Sequence, residues 1–440
     1  MLKFITNKYK ETGRRENPYH HSADTKLLLN FEPKRRVYHD RKASSRFESV
    51  ETWRDARLIK DTSRIRHIPR RKHFRALDDT SSTSFGLQQI LVSEYPEGAE
   101  KIFFMIKTGG TELWKKLPVH FFASLPKMPK FGLYSDAPGS IAGYEVIDSL
   151  ANLTESIRNS ELFEMYRLHR DIHDNHGIYD YSETKLNNAW DLDKFKNIPI
   201  LLHAYENSNC DWFFMVDTDS YVMVESLVDW LKGRDPNKPY YHGSIINIGV
   251  PFAHGGSGIL VSRKAIEMTV ASHREYLEEY EQRATKDCCG DRVLGLMLFE
   301  KGKIIGTTGE ASDKLRPFQG NTHWDVEVTE MQWCLPVLSF HHVSPHDIEL
   351  LWEYEQIKER EGSHVTYGDI YRDFYQPYIT DVIENWDNNA RDVQIHKEEG
   401  KQEPSSPAWK SFEECKATCE RDEKCLTYRT ANAQAPRVPI

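Results

Sequence analysis

From about residue 99 onward, apolar and polar positions fall into a recurring unit. The run AEKIFFMIKTGG (99–110) is apolar, then breaks to Lys-Thr and a glycine pair, the pattern of a buried strand feeding a loop. KFGLYSDAPG (130–139) repeats that form and ends in Ser-Asp and a Pro-Gly turn. Helical regions are expected over 157–176 and 187–206. DWFFMVDTD (211–219) predicts a third strand, and SYVMVESLVDWLKG (220–233) an amphipathic helix with a glycine stop. KPYYHGSI (238–245), SGILVSR (257–263) and CLPVLSF (334–340) read as strands. SRKAIEMTVASHREYLEEYEQR (262–283) reads as one helix begun at a Ser cap. Strands alternating with helices predict an α/β sandwich with a mostly parallel sheet. In such sheets ligands bind beyond the carboxyl ends of the strands, and Lys107–Thr111, Ser135–Asp136 and Asp217–Asp219 all fall at such ends.

Charge divides the chain. Residues 1–76 hold 21 Lys and Arg against 9 Asp and Glu, leaving 37 against 58 in the remainder. The basic part reads as an arm or stem over 1–95. The body over 96–384 is acidic, which argues against nucleic acid as a partner. A polar Ser- and Pro-containing stretch (385–408) reads as a linker, and 409–440 as a small cysteine-containing module. There, Cys415 and Cys419 are four apart, the spacing of one helix face, and Cys425 follows. No fourth ligand lies in register for zinc, so a disulfide module in an oxidising compartment is the expectation. The Asn152 sequon would be used only in such a compartment. No stretch reaches the roughly 18–20 apolar residues of a membrane span, and the first residues lack the apolar core of a signal peptide.

Candidate chemistry gathers at the strand ends. Side chains at i and i+2 of an extended chain point the same way, so Asp217 and Asp219 would offer adjacent carboxylates suited to Mg²⁺ or Mn²⁺. Neither has a cation neighbour in sequence, so an empty pair would repel itself. A strand-ending Asx turn is the plain alternative. In SFHHVSPHD (339–347) one imidazole could complete the shell; strand alternation would send His341 and His342 to opposite faces. Asp291, in KDCCGDRVLG, either caps a helix or serves as a general base. AHGGSGILVSR (253–263) permits close backbone approach to a ligand or makes an ordinary turn. Trp324 and His323 are either an acceptor-side wall or core.

Taken together, WFFMVDTDSYV, HGGSGILVSRKAI, GDRVLG and SFHHVSP resemble the family 31 glycosyltransferases, the Fringe and core 1 β-1,3-galactosyltransferase group, with a fungal look to the upstream segments. The tail WKSFEECKATCERDEKCLTY resembles part of a PAN/apple module. The resemblance spans about 99–355. It implies a GT-A type, Rossmann-like mixed sheet and an inverting transfer from a UDP-sugar to a glycan or glycoprotein hydroxyl, forming a β-1,3 linkage. By it, Asp217, Asp219 and His341 hold Mn²⁺ or Mg²⁺, and Asp291 is the base. Thr108, Asp136 and Thr218 contact the nucleotide. His342 stands where many members have tyrosine, and Gly290 where they have glutamate. Golgi or secretory-lumen residence follows by the same resemblance, with membrane attachment through an anchor not present in this chain. A glycan-binding protein that keeps the fold without turnover is the alternative. A metal-dependent hydrolase would need more ligands in close register.

Overall fold

In the computed structural model the described residues are 95–177, 180–182, 184, 189–378, 393–396, 405–425 and 428–430. The basic arm, most of the linker and the end of the cysteine module lie outside them. In chain order the strands are β1 (Ile102–Lys107), β2 (Phe131–Ser135), β3 (Gly139–Ile141), β4 (Tyr144–Asp148), β5 (Trp212–Asp217), β6 (Tyr221–Val222), β7 (Tyr241–His242), β8 (Ile245–Ile248), β9 (Val250–Ala253), β10 (Ile259–Ser262) and β11 (Ser339–Phe340). Seven of them form one sheet in the order β3-β4-β2-β1-β5-β10-β7. The ladders around β1 are parallel, and β10 runs antiparallel to β5, so the sheet is mixed. This is the α/β class expected from the pattern, but not the mostly parallel sheet: the ladders β3–β4, β5–β10 and β10–β7 are antiparallel, as the resemblance to a mixed sheet implies.

The central strands are apolar throughout because both faces are covered. On β5, Trp212, Phe214 and Val216 enter one core, with Phe104 and Ile106 of β1. Phe213 and Met215 enter the other, with Met105 and the helices Asn197–Glu206 and Gly290–Gly302. Strand alternation thus splits one apolar run between two cores. A further apolar cluster gathers Tyr221, Phe340, Ile348, Leu351 and Tyr367 around β6, β11 and the helix Pro345–Arg360.

Two predicted helices come out differently. The stretch 220–233 begins as strand: Tyr221 and Val222 are buried and pair with Phe340 and Ser339, leaving the helix Val224–Leu231. Tertiary pairing overrides the helical spacing there. The stretch 262–283 starts as predicted, with Ser262 accepting from Ala265 N, but the helix ends at Met268. The Thr269 hydroxyl donates back to Ala265 O at 2.6 Å, competing with the backbone ladder, and a second helix runs Leu277–Lys286. In the tail, Cys415 and Cys419 do share a helix, Phe412–Glu420; Cys419 is bonded to Cys425 and Cys415 is free. A second disulfide, unforeseen in the sequence, joins the adjacent Cys288 and Cys289. Among the described residues no helix is long and apolar enough to cross a membrane.

Candidate active site

Register decides which side chains meet at the carboxyl edge of the sheet. Lys107 and Asp217 are partners in the β1–β5 ladder, and Lys107 Nζ lies 3.0 Å from Asp217 Oδ1. The same ammonium, on a residue 3% exposed, meets Asp193 Oδ2 at 2.5 Å. Asp193 sits on the 3-10 helix Ala189–Phe195 and lies 3.4 Å from Lys196 Nζ, which reaches Asp136 Oδ2 at 2.8 Å. Charges therefore alternate along Asp217, Lys107, Asp193, Lys196 and Asp136. Burial would raise the Asp193 carboxyl, but the two ammonium groups outweigh it and hold it at about 2. Burial would lower Lys107, but Asp193 and Asp217 overcome that and keep it charged far above the ordinary lysine range.

The three residues assigned to the nucleotide by resemblance lie within this frame. Asp136 is 1% exposed, and its Oδ1 accepts from Gly110 N at 2.8 Å, tethering the glycine loop after β1. Thr108 and Thr218 are buried and joined hydroxyl to hydroxyl at 3.0 Å; Lys196 donates to Thr108 O at 2.9 Å. Their side chains serve the frame directly, and the loop they hold faces the strand end.

Asp219 lies one step further. Val343 N donates to Asp219 O at 2.8 Å as the chain continues from β11, bringing His341 alongside. His341 Nε2 stands 3.3 Å from Asp219 Oδ1, while Oδ2 lies 3.2 Å from Lys116 Nζ. Burial would raise the Asp219 carboxyl, but His341 and Lys116 hold it well below the usual range. The sequence offered these aspartates no cation; the fold supplies Lys107 to one and Lys116 to the other. His341 occupies a slot opened by a glycine: a Cβ on Gly256 would fall 2.1 Å from the imidazole Cε1. The close approach read from the Gly-Gly segment is real, and what approaches is a histidine ring. Gly256 O also accepts from Ser220 Oγ at 2.6 Å, binding that segment to the aspartate turn.

Asp291 meets the neighbouring glycine, Gly255, from the first turn of the helix Gly290–Gly302. Its Oδ2 accepts from Gly255 N at 2.8 Å and its Oδ1 from Arg292 N at 2.8 Å. Burial raises its carboxyl, and the Gly255 N–H offsets that only in part. Gly290 is a packing requirement: a Cβ there would fall 2.5 Å from Lys194 O. His254, unmarked in the sequence reading, stands between the two groups. Its ring centroid is 5.3 Å from that of His341, and its Nδ1 is buried without a hydrogen-bond partner. Burial first, and His341 with it, lower its pKa, though Asp291 and Asp217 act the other way.

Among the described residues, Asp219, His341 and His342 each present one ligand atom, all within 4.8 Å of one another, and Asp217 stands outside that group. A carboxylate with imidazoles is a donor set for a divalent ion of the Mn²⁺ class. His323 is fully buried among Trp324, Phe340 and Phe374, so it belongs to the core. Burial pushes its pKa down to about 4. Trp324 is half-buried beside it.

The sequence model of the family described as Fringe-like matches residues 182–305, the segment carrying Asp193, both aspartates of the β5 tip, the glycine segment and Asp291. A glycoprotein-N-acetylgalactosamine 3-beta-galactosyltransferase 1 of Xenopus laevis is 27% identical over 205 residues, 42% of this chain and 53% of the relative. The chain thus spans about half the length of that curated relative. Among solved structures, the galactosyltransferase LgtC with donor and acceptor sugar analogues covers 61% of this chain and 99% of its own, at 13% identity and a TM-score of 0.26. The glycosyltransferase GlyE of Streptococcus pneumoniae TIGR4 covers 62% and 63%, at 11% identity and a TM-score of 0.30. Likenesses this slight leave the fold to be read from the strands themselves.

Proposed function

We propose that the chain is an inverting glycosyltransferase of GT-A type, moving a sugar from a UDP-sugar to a glycan or glycoprotein hydroxyl in a β-1,3 linkage. The observation that carries this reading is two aspartates with opposite pKa shifts gathered at one glycine segment. Asp219 is held ionised beside His341 and Lys116, while Asp291, with a raised pKa, accepts from Gly255 N in the segment whose Gly256 makes room for His341. Breaking a sugar–phosphate bond builds charge on the departing diphosphate. A divalent cation held by Asp219 and His341, with Asp217 at its flank, supplies Lewis-acid stabilisation of that charge when bound. Lys116 would meet a phosphate oxygen. Asp291 would take the proton from the acceptor hydroxyl as that oxygen attacks the anomeric carbon opposite the leaving group. A carboxyl with a raised pKa is the stronger base for this step. The relative's printed activity makes UDP-galactose the first donor to try. By the same likeness the acceptor is a glycoprotein; the family resemblance of the sequence motifs, and not that relative, suggests work in the Golgi or secretory lumen and a partial PAN/apple-like tail.

The test is a panel of UDP-sugars with Mn²⁺, reading UDP release and the anomeric configuration of the product. One accepted donor, giving a β-linked product, is expected. Retention of configuration would remove Asp291 from the role of base.

A further inference from the structure

We propose that His342 is a third cation ligand, so that the ion is held by Asp219, His341 and His342, and Asp217 remains with Lys107. This rests on the reading of a metal-using site above and changes which side chains make it. Strand alternation would turn His342 away from His341. Instead His342 takes φ +56°, a left-handed backbone that non-glycine residues seldom adopt, and this breaks the alternation. The two rings lie 3.7 Å apart at 30°, both beside Asp219. Asp219 turns Oδ1 to His341 Nε2 at 3.3 Å and Oδ2 to Lys116, so Oδ1 is the oxygen on the histidine side. Asp217 is differently placed, with Oδ1 at 3.0 Å from a lysine that also holds Asp193. The slot in front of Gly256 fixes the His341 ring, so the stacked His342 ring has a defined neighbour.

The chemistry of the ion follows from the donors. Two carboxylates favour hard ions such as Mg²⁺, whereas one carboxylate with two imidazoles favours Mn²⁺, Co²⁺ or Zn²⁺. The site should therefore take Mn²⁺ and Zn²⁺ and largely ignore Mg²⁺.

Titration calorimetry on the full chain, with UDP present, tests this using Mn²⁺, Zn²⁺ and Mg²⁺ as probes. His342→Phe and His341→Phe should each weaken Mn²⁺ binding by about tenfold or more, while Asp217→Asn should change it by less than about threefold. Pulsed electron paramagnetic resonance of Mn²⁺ bound to the wild-type chain needs no variant and should show two coordinated imidazole nitrogens. A single nitrogen, or His342→Phe binding Mn²⁺ as the wild type does, overturns the assignment while leaving a metal-using transferase intact. A wild-type chain that binds none of the three ions, with or without UDP, removes both.

Discussion

Asp219 and Asp291 are the same residue type a short distance apart in function, and their surroundings push them in opposite directions. At the β5 tip the carboxylate has a lysine on one oxygen and a histidine on the other, and it stays ionised well below the usual range. At the start of the helix Gly290–Gly302 the carboxylate has only backbone N–H donors, and burial raises it. One environment suits a ligand that must remain an anion, the other a base that must be willing to take a proton. The identity of an acid in a sequence therefore says less than the charge of what packs on it.

The largest expected effect comes from neutralising the raised aspartate. Asp291→Asn should lower kcat by about 10²–10⁴-fold with metal and UDP affinity retained, measured by steady-state kinetics beside calorimetry. An equal loss of UDP affinity would mean that the two aspartates do one job. Next, Lys107→Ala leaves Asp193 and Asp217 without their shared ammonium. Chemical denaturation should show a loss of about 3 kcal/mol, the low end for a broken buried pair because both carboxylates keep some contact with water. Gly256→Ala places a methyl in the His341 slot and should cost about 1–3 kcal/mol, with weakened cation binding as its specific mark.

The smallest effects lie in pH. As the proposed base, Asp291 would have to be ionised, so kcat/KM should fall as pH drops through its raised pKa, an acid limb above that of an ordinary aspartate. Asp219 runs the other way. Its folded pKa is depressed, so the stability it contributes is present above the ordinary carboxylate pKa and lost only as pH falls through the depressed one. Separate acid limbs for activity and for unfolding would sharpen the contrast; coincident limbs would break it.

Much of this was readable from the residues. β1, β2 and β5 are marked by near-continuous apolar runs, as strands covered on both faces are; Asp217, Asp219 and His341 stand out as polar residues ending or following such runs, and Asp291 as an acid just ahead of an amphipathic helix. What escaped was long-range. Lys107 and Asp193 are 86 residues apart, Lys116 and Asp219 are 103 apart, and nothing in WDLDKFKN marks Asp193 as a partner. Tyr221 and Val222 carry a helical spacing that only the partner strand β11 overrides. His342 was expected to turn away, since a single left-handed residue leaves no mark in the pattern of apolar and polar positions. Gly290 stands where the resembling family has glutamate, and only the fold brings the Lys194 backbone beside it.

The most direct measurement is UDP release from a UDP-sugar panel by the full chain with Mn²⁺, repeated with chelator and with Asp219→Ala. The account predicts that one donor is turned over and that both treatments abolish the release. Binding of UDP and glycan with no turnover of any donor, or turnover indifferent to chelator and to Asp219→Ala, would contradict it.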